Sequence, residues 1–233
     1  MKRRIASVLA GTILATFLVG ATAAAAKVSP SFSSAYAVPL IQGQSSAHPG
    51  GGTVEWQSGS GHPNNLHAIV APSWWGSPCL SCTYAQAQGM LVSTSFKYTG
   101  TTNAQLNWHV KGTFGFNNNT GGGVYGTTVR NVVYVQLYDV TTGEVMSMVT
   151  VGNNTSNCGA IVYPVGLGGC DRPLSGSFAL DTYVTSDGGG ITNGNYYTIR
   201  VIADAEVDRA LGVVYGFYAE TFAYSIAASA SWS

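Results

Sequence analysis

The chain has 233 residues, enough for one domain and at most two. Ten basic and ten acidic residues give a formal net charge of zero, and charged residues make up only 9% of the chain, against about 25% in an ordinary domain. Beyond the N-terminus the basic residues form no cluster, so nucleic acid is not an expected partner. The surface must therefore be solvated mainly by Ser, Thr, Asn, Gly and Tyr.

The first 26 residues are typical of a secretory signal peptide. Basic residues at positions 2–4 precede an apolar run at 5–20, and small residues suited to cleavage occupy 21–26. The alternative is a retained membrane anchor, but the run is a little shorter than the roughly 20 apolar residues of a spanning helix. We therefore expect residues 1–26 to be removed, leaving a secreted chain without a membrane segment.

Residues 27–61 are predicted to form an extended N-terminal segment that ends in a Gly-rich linker. The sequence AYAVPLI at 35–41 is a strand candidate, and Pro39 confines it to the edge of a sheet. A flexible tract at 45–52 contains three consecutive glycines. A strand tethered in this way can pair with its own domain or complete the sheet of a neighbouring copy. The residues expected to make that contact are Tyr36, Val38 and Leu40.

The remainder of the chain, 62–233, is predicted to be one all-β domain, a β-sandwich or jelly roll. Helix signals are nearly absent, while stretches of alternating apolar and polar residues recur between Gly and Asn turns. The predicted strands are 90–99, 104–116, 132–139 in a hairpin with 144–151, 177–185, 196–208, 213–224 and 226–232. In 90–99, Met90, Val92, Phe96 and Tyr98 are expected to share one face. Odd-numbered residues of 196–208 are expected to point inward.

Four cysteines, an even number in an exported chain, predict two disulfide bonds. We favour the local pairs Cys79–Cys82 and Cys158–Cys170 because each pair brackets a Gly- and Pro-rich loop. Crossed pairings, which would join distant strands, stay open. A redox role for the C-x-x-C motif is disfavoured because the motif does not precede a predicted helix.

The segment SWWGSPCLSC at 73–82 combines that cysteine pair with Trp74 and Trp75. Together with His62 and His67 the cysteines give H-x4-H-x11-C-x2-C, whose donor types suit zinc, although an exported chain favours a disulfide. The two tryptophans can stack on sugar rings or plug the end of the core. Neighbouring residues in an extended strand point to opposite faces, so at most one of them would be buried.

Acidic residues at alternate positions form a row on the outward face of the long strand. They are Asp204, Glu206 and Asp208. Such a row is most often a solvated face, balanced here by Arg200 and Arg209. It can also bind calcium, which favours clustered oxygen ligands, or supply the two carboxylates of a glycoside hydrolase. The sequence requires no cofactor, and calcium is the one that this acidic row could bind.

Glu220 is the more unusual acid, because it lies among aromatic residues in VYGFYAETFAYSI. Alternation places it on one face with Phe222, Tyr224 and Ile226. The carboxyl group is either buried, which would raise its pKa and suit acid–base chemistry, or part of an exposed aromatic stripe. The sequence leaves both open.

The layout of the whole chain resembles the exported jelly-roll subunits of bacterial matrix fibres and archaeal bundling pili. The shared features are a signal peptide, the apolar segment AYAVPLI, the linker HPGGG and a strand-rich remainder. The resemblance implies a secreted structural protein whose partners are copies of itself, and it transfers no functional residues. One alternative is a carbohydrate-binding module or lectin that contacts extracellular polysaccharide through Trp74 and Trp75. Another is a glycoside hydrolase built on Glu220 with Glu206 or Asp204.

Overall fold

The computed structural model describes residues 26–37, 52–55, 66–70, 84–101, 104–119, 127–158, 174–186, 190–209 and 218–232. Within these ranges the chain forms twelve β-strands and no helix, and so no helix there is suited to crossing a membrane. The strands are β1 Ala26–Val28, β2 Phe32–Ala37, β3 Gly52–Glu55, β4 Leu66–Val70, β5 Tyr84–Ser93, β6 Phe96–Lys97, β7 Gln105–Asn119, β8 Thr127–Asp139, β9 Glu144–Cys158, β10 Leu174–Thr185, β11 Tyr196–Arg209 and β12 Tyr218–Trp232.

The strands form two six-stranded antiparallel sheets that pack face to face. The first sheet has the order β10-β7-β12-β4-β3, with β1 beside the end of β12. The second has the order β2-β5-β11-β8-β9, with β6 beside β11. From β4 onward the chain changes sheet at every connection except β5–β6 and the β8–β9 hairpin. The set β4-β12-β7-β10 therefore faces β5-β11-β8-β9, which is the eight-stranded jelly-roll arrangement, and the predicted fold class is confirmed.

The core lies between the sheets and follows the predicted alternation. The odd-numbered residues 197–205 of β11 are fully buried, as expected for a central strand. On β7 the side chains of Leu106, Trp108 and Val110 are buried, while Asn107 and Lys111 at alternate positions are exposed. Each large apolar side chain buried in this way contributes about 1.5–3 kcal/mol, so the two sheets are held together mainly by these alternate residues.

The predicted hairpin between β8 and β9 is confirmed, and Asp139 organises its turn. One carboxylate oxygen accepts hydrogen bonds from the backbone N–H groups of Thr141 (2.8 Å) and Thr142 (3.1 Å). The other accepts one from Asn195 Nδ2 at 2.7 Å. Burial by itself would raise the pKa of Asp139, but these hydrogen bonds outweigh it and lower that pKa. Gly143 closes the turn at φ 80°, a conformation that glycine adopts without strain.

A buried hydrogen-bond network joins the two sheets near the opposite end of the sandwich. Asn131 of β8 accepts from Asn118 Nδ2 of β7 at 2.8 Å. Its own Nδ2 donates to Thr221 Oγ1 (3.0 Å) and to the carbonyl oxygen of Glu220 (3.1 Å) on β12. Thr221 Oγ1 then donates to the carbonyl oxygen of Asp204 on β11 at 2.7 Å. This network, the Asn131 network below, fixes β7 and β12 relative to β8 and β11.

The predicted strand 90–99 is two strands rather than one. Leu91 at the end of β5 and Phe96 in β6 are both buried, although they were expected on opposite faces. The alternation reverses at 93–95 because these three residues stand opposite only two residues of β11, 198 and 199, between the pairs Val92–Arg200 and Phe96–Tyr197. Met90 therefore faces outward, whereas Phe96 and Tyr98 point into the core.

The N-terminal segment contributes an edge strand to each sheet. β1 pairs with Ala230–Trp232 of β12, and β2 pairs with β5, where Tyr36 lies opposite Met90. The strand candidate 35–41 thus begins earlier, at Phe32, and only its first residues lie within the described part of the chain. The other predicted contact residues, Val38 and Leu40, lie outside it.

Candidate functional site

A cleft of about 490 Å³ opens on the outer face of the first sheet, and three polar residues in register form one side of its floor. Asp181 of β10 lies opposite His109 of β7, which lies opposite Ser229 of β12. His109 Nδ1 and Asp181 Oδ1 are 2.6 Å apart. An ionised carboxylate can only accept a hydrogen bond, so His109 Nδ1 is the donor. The imidazole is therefore held in one orientation along the sheet.

A second row of side chains lies two residues further along the same strands. The two rows together form the floor of what we call the His109 cleft. In the second row Tyr183 of β10 lies opposite Asn107 of β7, followed by Ser231 of β12 and Lys27 of β1. The serines are small, whereas Tyr183 and Lys27 are long and stand at the two ends of the row. The depression arises because small polar side chains lie between large ones.

Asp181, His109 and Ser229 have the residue types of a catalytic triad, but their geometry favours binding. The side chain of Asp181 is 83% exposed, whereas the aspartate of a triad is buried where it can orient and stabilise the imidazole. Within the described ranges no hydrogen bond joins Ser229 to His109. The row offers donors and acceptors to a ligand and does not present an activated nucleophile.

Glu220 belongs to an outward-facing aromatic stripe on the same sheet. The predicted members of this stripe are correct except for Ile226. Glu220, Phe222 and Tyr224 share the outer face, and the two rings lie 5.9 Å apart. Ile226 points into the core instead, because a β-bulge at Ser225 (φ 55°) shifts the register between Tyr224 and Ala227. Glu220 Oε2 accepts a hydrogen bond from Asn117 Nδ2 at 2.9 Å.

Asp204 and Glu206 of the acidic row on β11 face outward as predicted, but Asp204 is almost completely buried there. Its Oδ1 accepts a hydrogen bond from Gln86 Nε2 at 2.8 Å, and it is only 5% exposed. Burial raises the pKa of Asp204, and the charge of Glu206 adds to that effect. The cation beside the row is Arg130, 3.4 Å from Glu206. Arg200, which was expected to balance the row, lies instead over the ring of Tyr138.

The structure separates Glu220 from the other two catalytic candidates. The carbonyl oxygens of Glu220 and Asp204 both point into the Asn131 network between the sheets, and their side chains point away from it on opposite outer faces. Packed sheets lie about 10 Å apart, so carboxylates on their outer faces cannot flank one glycosidic bond. Glu220 with Glu206 or Asp204 is therefore not an acid–base pair. Only Asp204 and Glu206 share a surface.

We expect Asp204→Asn to raise the melting temperature at pH 7 and to leave it unchanged near pH 3. The pKa of Asp204 is higher in the folded protein than in the unfolded chain. The stability that Asp204 contributes is therefore fully present below its pKa in the unfolded chain, and it is lost as the pH rises through its pKa in the folded protein. Asparagine keeps the acceptor for Gln86 without the charge. About 1 kcal/mol moves the melting temperature of a chain of this size by about 2–4 °C.

Thermal unfolding followed by circular dichroism at both pH values measures this difference. Glu206→Gln is the matched control, since it removes the charge of a less deeply buried carboxylate from the same row. A lower melting temperature for Asp204→Asn at pH 7 would show that the charged form is the stabilising one.

Many predicted site residues lie outside the described part of the chain: Trp74, Trp75, Cys79, Cys82, Cys170 and His62. Four others lie in or at the end of described strands, and only their backbone is described: Tyr36, His67, Cys158 and Asp208. The described residues contain no disulfide bond and no group of three metal-binding side chains. The pairings, the zinc site and the calcium site stay predictions.

The His109 cleft was not predicted, although the two strands that carry His109 and Asp181 were. His109 and Asp181 each lie at outward positions of an alternating stretch, which is all that the sequence signals. Their contact depends on which strands are neighbours and in what register they pair. The two residues are 72 positions apart, so no local sequence pattern indicates that they meet.

Comparisons with known proteins leave the function open. No family model matches the sequence, and no curated protein matches it. Among solved structures, the chain is similar to the enzymatically active domain of tailspike protein 4 of bacteriophage CBA120, with 12% identity and a TM-score of 0.24. The similarity covers 70% of this chain and only 15% of that chain. At this level the neighbour's activity does not transfer to this chain.

Proposed function

We propose that this protein is a secreted surface or matrix protein that assembles with copies of itself. In the proposed assembly the N-terminal strand of one copy completes the second sheet of the next copy. The observation that carries the proposal is that β2 binds the sandwich as a separate edge strand with its own core residue.

The contacts of β2 are those of a docked peptide. It pairs with Gly89–Ser93 of β5, and Ser31 just before it exchanges two hydrogen bonds with Thr94. The ring of Phe32 is buried in the hydrophobic core. Backbone pairing at an edge together with one inserted side chain is the mode in which extended peptides are recognised by sheets.

The connection after β2 is long enough for either arrangement. Fourteen residues, 38–51, separate β2 in the second sheet from β3 in the first. A chain of that length spans up to about 50 Å when extended. The pairing of β2 with β5 is the same whether the strand comes from its own chain or from a neighbour, so exchange between copies costs little.

The opposite side of the sandwich also favours association. β9 and β10 are the terminal strands of their sheets within the described residues, with 15 and 12 residues. Each contains a single charged residue, Glu144 and Asp181 respectively, and neither contains Lys, Arg or Pro. Soluble monomers usually protect such edges with charges or proline.

Removal of residues 27–45 tests the proposal. We expect the exported full-length protein to form filaments in negative-stain micrographs, and the truncated protein to remain a folded but less stable monomer. A synthetic peptide of residues 27–45 should then raise the melting temperature of the truncated protein. The same peptide with Phe32→Ala is the control and should have little effect. Persistent filaments from the truncated protein would exclude strand exchange.

Carbohydrate binding is the second candidate, and the His109 cleft favours it. Aromatic and polar side chains around a shallow cleft are suited to sugar rings and their hydroxyl groups. The prediction that Trp74 and Trp75 stack on sugar rings is tested by polysaccharide pull-down with Trp74→Ala and Trp75→Ala. Glycoside hydrolysis now rests on Asp204 and Glu206 alone, and activity on common β-glucans with Asp204→Asn as control tests it.

A further inference from the structure

We propose that the His109 cleft binds a sugar that carries a carboxylate, as a unit of an acidic extracellular polysaccharide. The inference deepens the second candidate function by naming a site and a ligand class, and it does not depend on self-assembly. It rests on three features of the cleft: a polar floor, an aromatic side chain at one end and a cation at the other.

The floor supplies the hydrogen bonds that sugar hydroxyl groups need. Asp181 offers acceptor lone pairs beyond the one used by His109 Nδ1, since a carboxylate can accept about four hydrogen bonds. Asn107, Ser229 and Ser231 add groups that both donate and accept. The His109–Asp181 contact fixes two of these side chains before the ligand arrives, which lowers the entropy cost of binding.

Tyr183 provides the apolar contact at one end. It is 59% exposed, an unusual position for a tyrosine with no role in the core. An exposed ring is a rigid surface with little entropy to lose, and it can pack against the apolar face of a sugar. Tyr183 stands on β10, a terminal strand of the sheet in the described part of the chain, so a bound chain could enter and leave the cleft past it.

Lys27 stands at the other end and selects the charge of the ligand. Three strand spacings, about 14 Å, separate the β1 and β10 positions of this row, which leaves room for a short oligosaccharide. The negative charge of Asp181 lies next to His109, whereas Lys27 faces the uncharged Ser231. The cleft lining contains a single lysine and no arginine. A single basic side chain suits a ligand with a carboxylate on a sugar unit, while a polysulfated chain would need a cluster of basic residues.

Calorimetry with the full chain, purified after export, tests the proposal. The probes are tetragalacturonate, which is acidic, and cellotetraose, which is neutral. We expect tetragalacturonate to bind with a dissociation constant below about 1 mM, at least tenfold more tightly than cellotetraose, and to weaken as salt is raised.

Two variants assign the binding to this cleft. Lys27→Gln should reduce the affinity for tetragalacturonate about tenfold and remove most of its preference over cellotetraose. Tyr183→Ala should weaken both probes by about tenfold or less, as the loss of a ring contact predicts. The matched controls are Lys97→Gln and Tyr196→Ala, an exposed lysine and tyrosine that lie close together on the second sheet, and neither should change binding.

Three results would overturn the proposal. One is no binding of tetragalacturonate at 1 mM, and another is equal binding of the acidic and neutral probes. The third is unchanged affinity in Lys27→Gln and Tyr183→Ala, which would place any binding elsewhere on the protein. None of these results depends on whether filaments form, so failure here and failure of self-assembly are distinguishable.

Discussion

Replacing Asn131 by alanine is expected to lower the free energy of unfolding by about 3–5 kcal/mol. Asn131 is fully buried, and it is the centre of the Asn131 network. The substitution leaves the buried Asn118 Nδ2 without its acceptor and removes the hydrogen bonds that Asn131 donates to Thr221 Oγ1 and to the carbonyl oxygen of Glu220. An unsatisfied buried polar group costs about 1–3 kcal/mol, and the lost side-chain volume adds a cavity.

Urea denaturation at pH 7 measures this effect, and the exposed Asn153 on β9 is the matched control. Asn153→Ala should change the free energy of unfolding by no more than about 0.5 kcal/mol. The double variant Asn118→Ala with Asn131→Ala should lose less free energy of unfolding than the sum of the two single variants. The reason is that each substitution removes a group whose partner the other substitution has already removed. A loss below about 1 kcal/mol for Asn131→Ala would mean that the network does not join the sheets.

Replacing Asp139 by alanine is expected to cost about 3–4 kcal/mol at pH 7. Three hydrogen bonds to its carboxylate hold the β8–β9 turn and join it to Asn195 before β11. Hydrogen bonds to a charged group contribute more than neutral ones. Asp139→Asn keeps one acceptor oxygen and should therefore lose less.

The pH dependence separates this role from simple packing. The folded-state pKa of Asp139 is lowered, so its contribution is present above the unfolded pKa of about 3.9 and is lost as pH falls through the folded one. The gap in stability between the wild-type protein and Asp139→Ala should therefore narrow below about pH 4. The comparison uses urea denaturation at pH 7 and pH 3. An equal gap at both values would show that the charge is not involved.

The alternation of residues predicted most of the fold correctly. Strands β10 and β11 begin and end within three residues of the predicted positions, and the turn of the β8–β9 hairpin lies where it was predicted, although β8 begins five residues earlier and β9 ends seven residues later than predicted. Alternation succeeds here because each of these strands has one face in the core, so the period of two is enforced by burial. It was wrong near Thr94 and Ser225, where an extra residue relative to the neighbouring strand and a β-bulge, respectively, reverse the faces.

The sequence by itself determined an all-β sandwich, the inward face of β11 and the outward position of its acidic row. Only the tertiary structure decided that Asp204 is buried, that Glu220 lies on the other outer face, and that His109 meets Asp181. The reason is that alternation is a local property of one strand, whereas a site on a sheet is made by neighbouring strands in register. That register is set by packing between segments far apart in the chain, which leaves no periodic signal at the residues that come together.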